Sequence, residues 1–255
     1  MIKKLTLLSL LITLFANTLF AQADKALVQR YMQISGTQQA VESIAQQIIG
    51  SMQQSAMMYG ESVDEKEVRF IKKAFNPYDD IQLIKSTLST QFDNRSLRTI
   101  LDFYSSELGR KVTQAGLDVL APSAQSELLS YMSTLQQNPP SKTRISLIKS
   151  LVNTLQLSQR VEDMLAEMMV YTQKQATPKA SISNDQIKQF KLMMRQTLKQ
   201  QLFLSSLFTY RTLSDAEIES VIGFYQTEAG EEELRVTGDA LVKMFKEGFK
   251  KALKR

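Results

Sequence analysis

Phe103-Tyr104-Ser105-Ser106-Glu107-Leu108-Gly109 returns 121 residues later as Phe224-Tyr225-Gln226-Thr227-Glu228-Ala229-Gly230. The correspondence runs outward from both copies. Leu97, Ile100 and Leu101 align with Ile218, Val221 and Ile222, and Asp118 and Leu120 with Asp239 and Leu241. Further upstream, Leu27, Val28 and Tyr31 match Leu147, Ile148 and Leu151. The chain therefore reads as an internal duplication in which each half folds alike.

Each copy reads locally as a corner between two helices. Leu97, Ile100, Leu101 and Tyr104 recur at helical spacing and form one apolar stripe. Ser106 and Thr227 then suit the N-cap of a new helix. Glu107 and Glu228 follow in its first turn, where a carboxylate meets the positive end of the dipole. Gly109 and Gly230 sit one turn further in. Glycine there costs a helix about 1 kcal/mol relative to alanine, a cost repaid where another helix approaches too closely for a side chain. On this reading Phe103, Tyr104, Ser106, Glu107 and Gly109, with Phe224, Tyr225, Thr227, Glu228 and Gly230, serve shape. If the halves pack about a pseudo-twofold axis, Glu107 and Glu228 could instead face each other as an acid–base pair.

An apolar helix, then Phe-Tyr, then Ser or Thr, then Gly, resembles the DUF2059 family of bacterial proteins, here in two tandem copies. The resemblance implies an all-helical fold and bacterial export, and brings no assigned biochemical activity with it. Family members often carry Pro where this chain has Glu107 and Glu228. A position open to Pro cannot hold a family-wide catalytic carboxylate, so the resemblance favours the capping role.

The remaining pattern is helical throughout. Val41, Ile44, Ala45, Ile48, Ile49 and Met52 form a stripe, answered by Val161, Met164, Leu165, Met168 and Met169. Convincing strand alternation is missing and only 9 residues are Gly, so the expected class is all-α. Ser62-x-x-Glu65 and Ser214-x-x-Glu217 read as capping boxes, and Asp93 as a lone cap. Asn138-Pro139-Pro140-Ser141 cannot continue a helix. The expected organisation is a signal peptide over 1–23, one helical repeat over 24–137, a linker over 138–141 and a second repeat over 142–255. An uninterrupted helix is expected from Asn184 to Phe208, where the first repeat is broken at Pro77.

Lys3 and Lys4 followed by an uncharged, mostly apolar run to Phe20 and by Ala21-Gln22-Ala23 read as an export signal cut after about Ala23. The run is short for a spanning helix, and with no Cys a lipidated anchor is excluded. The expected location is the periplasm, with secretion as the alternative. Losing two lysines leaves 29 basic residues against 26 acidic ones, too mild an excess to predict nucleic-acid binding. Without Cys there are no disulfides, and packing must supply the stability.

The absence of His removes the commonest general base and transition-metal ligand. Zinc sites, Ser-His-Asp triads and di-iron bundle motifs are excluded. Ser146-x-x-Lys149 has the spacing of a serine acylase, but its companion elements are missing. No catalytic residue, metal or cofactor is expected.

Two other features could carry function. Met164, Met168, Met169, Met193 and Met194 could line an apolar groove; thioethers can also hold Cu(I), and Met fills irregular cores. Lys243, Lys246, Lys250, Lys251 and Lys254 flank Leu241, Met244, Phe245, Phe249 and Leu253. Such a helix could lie on an anionic membrane, or simply end in a solvated basic terminus. The expectation is a non-enzymatic periplasmic protein that binds an envelope protein, a peptide or a lipid-like ligand between helices. The alternatives are an envelope hydrolase using Glu107 and Glu228, and a peripheral membrane protein held by its basic C-terminal helix.

Overall fold

In the computed structural model, residues 23–176 and 182–253 are described. They form helices, with no strand among the described residues. The helices are α1 (Lys25–Ile34), α2 (Thr37–Met58), α3 (Glu65–Ala74), α4 (Pro77–Gln91), α5 (Asn94–Ser105), α6 (Glu107–Asp118), α7 (Ala124–Gln137), α8 (Lys142–Thr154), α9 (Leu157–Ala176), α10 (Asn184–Thr209), α11 (Asp215–Tyr225) and α12 (Glu228–Leu253). The protein is all-α. The leader region before Ala23, Pro178 and Lys254 lie outside the described residues.

Polar side chains set most of the helix starts. Ser214 and Glu217 form the expected capping box, and Asp93 accepts from the backbone N–H groups of Arg95 and Ser96. The expected box at Ser62 does not form. Asp64 is the cap of α3, accepting from Lys66 N–H, which makes Glu65 the first helical residue. A further box, Ser183 with Gln186, starts α10. Pro77 breaks the first half into α3 and α4 because it stands at the first turn of α4 and has no N–H to continue α3. Nothing interrupts α10.

Within the first half, α1 packs on α2, α4 and α5, and α2 on α3 and α4. Within the second, α8 packs on α9, α10 and α11, and α9 on α10. The two apolar cores do not follow the boundary at 138–141. One core holds Val28, Tyr31, Ile84, Leu88, Leu97 and Tyr104, closed by Ala229, Val236, Ala240, Met244 and Phe249 of α12. The other holds Ile148, Leu151, Leu207, Ile218 and Val221, closed by Val112 and Ala115 of α6, with Tyr131 and Leu135 of α7 against it. After each Phe-Tyr corner the chain thus crosses to cover the opposite half.

The basic C-terminal helix takes part in this crossing. Met244 is fully buried and Phe249 nearly so. Phe75 meets both Phe245 and Phe249 edge to face, at 4.9 and 5.4 Å between centroids. Gly248 is buried where an added Cβ would lie 2.5 Å from the carbonyl oxygen of Ala74. Of the expected apolar face, Met244, Phe245 and Phe249 pack on the first core, while Leu241 is exposed. Lys251 pairs with Asp79, Lys250 with Glu247, and Lys243 reaches Thr87.

Candidate functional site

The two Phe-Tyr corners meet at the centre of the molecule. The rings of Phe103 and Phe224 stack with centroids 3.8 Å apart and planes 3° from parallel. The hydroxyls of Tyr104 and Tyr225 are 3.0 Å apart. Each corner is held by its cap: Ser106 Oγ accepts from Gly109 N–H at 3.0 Å, and Thr227 Oγ1 from Gly230 N–H at 3.2 Å. The glycines are needed because the chain folds back on itself. A Cβ on Gly109 would strike the carbonyl oxygen of Phe103 and lie 2.6 Å from Tyr104 Cα. One on Gly230 would strike Phe224 O and lie 2.6 Å from Tyr225 Cα. The close neighbour is thus the last turn of the preceding helix rather than a distant one.

Glu107 and Glu228 take no part in this centre. Both are exposed at the first position of their helices. Glu107 pairs with Lys111, which also reaches Glu217 of α11 at 2.8 Å. These donors hold the Glu217 carboxyl near 2, well below its usual range, with Lys111 the largest cause and the Ser214 backbone next.

The carboxylate that does join the tyrosines is Glu233. Its Oε1 accepts from Tyr31 at 2.8 Å and from Tyr104 at 2.7 Å, linking α12 to α1 and α5. The other oxygen, Oε2, is buried without a hydrogen-bond partner. Desolvation by burial raises the Glu233 carboxyl to about 7, against the lowering effect of the two tyrosine hydroxyls. Burial raises all three tyrosines as well. The folded protein therefore holds this proton more tightly than the unfolded chain does. That contribution is complete below pH 4.5 and is lost as pH rises through 7. Glu233→Gln, neutral at every pH, removes the dependence. Urea titrations at pH 5 and pH 8 should show wild type losing about 2–3 kcal/mol relative to the variant; parallel losses would refute the assignment. The sequence signal was available. Glu233 shares a face with Val236, Ala240 and Met244, a lone acid on an apolar stripe, while Glu232 caps Asp93 N–H.

Beside the buried centre opens a cleft of about 720 Å³, between the α8–α9 turn and the start of α12. Asn153, Thr154, Gln156, Gln159 and Asp163 line one wall. Tyr225, Gln226, Glu231, Leu234, Arg235, Gly238, Asp239 and Val242 line the other. Gln156 has φ +50°, the left-handed region that favours glycine.

The corresponding place in the first half is filled. Gly36, which precedes Gln156 by 120 residues, has φ +77°. A Cβ there would meet Leu117 Cδ2 at 3.2 Å and Thr113 Cγ2 at 3.3 Å. Leu117 and Thr113 each stand 121 residues before a cleft residue, Gly238 and Leu234. Where the first half has a leucine seated over a glycine, the second has Gly238 and Gln156, both lining the cleft.

Of the methionines, Met169 and Met194 are half-buried and Met193 is exposed. None of these three lines the cleft. The side chains of Met164 and Met168 lie outside the described residues. Among the described residues no group of His, Cys, Asp and Glu is placed to hold a metal, and no helix is long and apolar enough to cross a membrane.

Residues 81–138 match the model of a family described as an uncharacterized protein conserved in bacteria (DUF2059). The matched stretch runs from within α4 through the first corner to the end of α7. No curated protein matches the chain, and no solved structure does.

Proposed function

We propose that this is a non-enzymatic binding protein of the bacterial envelope whose ligand occupies the cleft between the α8–α9 turn and α12. The observation that carries the reading is the exchange of Leu117 for Gly238. In the first half that leucine packs over Gly36, whereas in the second Gly238 and Gln156 both line the cleft. Gln156 supports it from the other wall. A non-glycine residue in left-handed backbone costs about 1–2 kcal/mol, and here it aligns with a glycine that meets the same turn without that cost. Strain retained at a cleft points to use. Binding is favoured over catalysis because Glu107 and Glu228 stand exposed on separate helices and outside the cleft lining. Met244, Phe245 and Phe249 of the basic tail are engaged in the first core, which weighs against membrane attachment.

The same reading treats the chain as two tandem copies of the unit matched over 81–138. The corner geometry at Gly109 and Gly230 and the parallel helix pairings in the two halves support it. Export with removal of the leader belongs to the proposal. Ala23 is buried and donates its N–H to Ser89 O, so a cut after Ala21 retains a core contact that a cut after Ala23 loses. The mass of the protein recovered from a periplasmic extract separates the two.

The binding reading is tested with Gly238→Leu, which restores the filling that Leu117 provides in the first half. A displayed random hexapeptide library and a panel of short chitooligosaccharides are presented to wild type and variant. Ligands retained by wild type and lost by Gly238→Leu are expected, with thermal stability unchanged or raised. Gln156→Gly should gain about 1 kcal/mol of stability and weaken the same binding. If nothing is retained by wild type, or if Gly238→Leu retains the same ligands, the cleft is not a binding site.

A further inference from the structure

We infer that the cleft takes a peptide segment bearing a lysine or arginine side chain; this rests on the binding reading above and specifies its ligand. Four lining residues, Asn153, Gln156, Gln159 and Gln226, end in primary amides. Each amide offers both a donor and an acceptor. A peptide backbone presents the same two groups in alternation, and the amides stand on both walls.

The charges set the rest of the preference. Among the described lining residues, Asp163, Glu231 and Asp239 stand with one cation, Arg235. Arg235 lies 3.9 Å from Asp239, a loose pair on exposed side chains. Asp163 is held by Lys191 of α10 at 2.6 Å from outside the lining. Glu231 and Asp239 are therefore the carboxylates best placed to receive an incoming cation. A sugar is disfavoured by Tyr225, the aromatic residue among the described lining residues. Tyr225 is only 8% exposed, and its ring meets those of Phe103 and Phe224 in T-shaped contacts. It offers no open platform for a pyranose ring. The apolar residues Leu234 and Val242 suit the methylene stem of a lysine or arginine side chain.

Isothermal titration of the full chain with three probes tests this. They are a capped tetrapeptide alternating alanine and lysine, the same peptide with glutamate for lysine, and chitotetraose. The lysine peptide should bind at least about tenfold more tightly than the glutamate peptide at low salt. The double substitution Glu231→Gln with Asp239→Asn should erase most of that preference without unfolding the protein. Gly238→Leu should abolish binding of both peptides. Equal or reversed preference between the peptides, or binding of chitotetraose alone, overturns the cationic-peptide assignment. If that binding is still lost in Gly238→Leu, the cleft reading survives. Failure of all three probes together with an empty library selection removes both.

Discussion

Gly109→Ala should unfold the centre of this protein or come close to it. The new Cβ would strike the carbonyl oxygen of Phe103, with Tyr104 Cα only 2.6 Å away. Both obstacles are backbone, and neither can rotate aside. Relief requires the α5–α6 corner to open, which pulls Phe103 from its stack on Phe224 and Tyr104 from Glu233. Overpacking in a core costs about 1–3 kcal/mol when side chains can adjust. With backbone on both sides, the upper end of that range or more is expected, so a loss of about 3 kcal/mol or more by urea titration is the prediction. Gly230→Ala should behave alike, since Phe224 O and Tyr225 Cα stand in the same relation to it. Gly50 is the control: it lies exposed within α2 with nothing within 4 Å of an added Cβ. Gly50→Ala should gain about 1 kcal/mol from helix propensity alone. A Gly109→Ala protein as stable as wild type would mean that the corner is not the tight junction described.

The second large effect concerns the C-terminal helix. Phe249→Ala should lower stability by about 3 kcal/mol or more, because its ring packs on Phe75 at 5.4 Å and on Phe70 at 6.2 Å. Truncation before Leu241 removes Met244, Phe245, Phe249 and Ala252 together. A loss of that size rivals the total stability of an ordinary domain, about 5–15 kcal/mol. The consequence should appear far away in sequence. Hydrogen exchange should show helices α1 to α5 losing protection, while α8, α10 and α11 keep theirs, since Ile148, Leu151, Leu207 and Ile218 form a core without the tail. If truncation leaves the first half protected, the crossing of α12 onto it is refuted.

The second prediction does not follow from treating the chain as two beads on a linker. Pro139 and Pro140 do end one helix and precede another, as their missing N–H groups require. That local fact says nothing of which core each flanking helix joins. Residues 107–137 and 228–253 each carry apolar side chains into the core of the other half. The apolar stripes of α6 and α12 were legible, but a stripe specifies only that a face will be buried. It does not name the surface that buries it.

The candidate site divides the same way. The motif residues Phe103, Tyr104, Phe224 and Tyr225 were visible from their recurrence, and a structural role was readable from their helical spacing. Glu107 and Glu228 drew attention because the recurrence includes them. Their capping position on exposed first turns explains the repetition without any chemistry. Glu233 does not stand out when the halves are compared, because its counterpart 121 residues earlier is Val112. Its importance comes from Tyr31, a residue 202 positions away that only tertiary packing supplies. The cleft was equally hidden. Gly238 and Gln156 are unremarkable in sequence, and their meaning lies in what Leu117 and Gly36 do at the corresponding place.

The chain alone determined its helical class, most of its helix starts and the recurrence of its corners. These depend on periodicity, capping hydroxyls and carboxylates, and prolines, all of which act within a few residues. Tertiary structure alone decided the crossing of the arms, the burial of one carboxylate among three tyrosines and the opening of the cleft. Each of those depends on which apolar surface wins a partner from the other end of the chain, and hydrophobic burial carries no address.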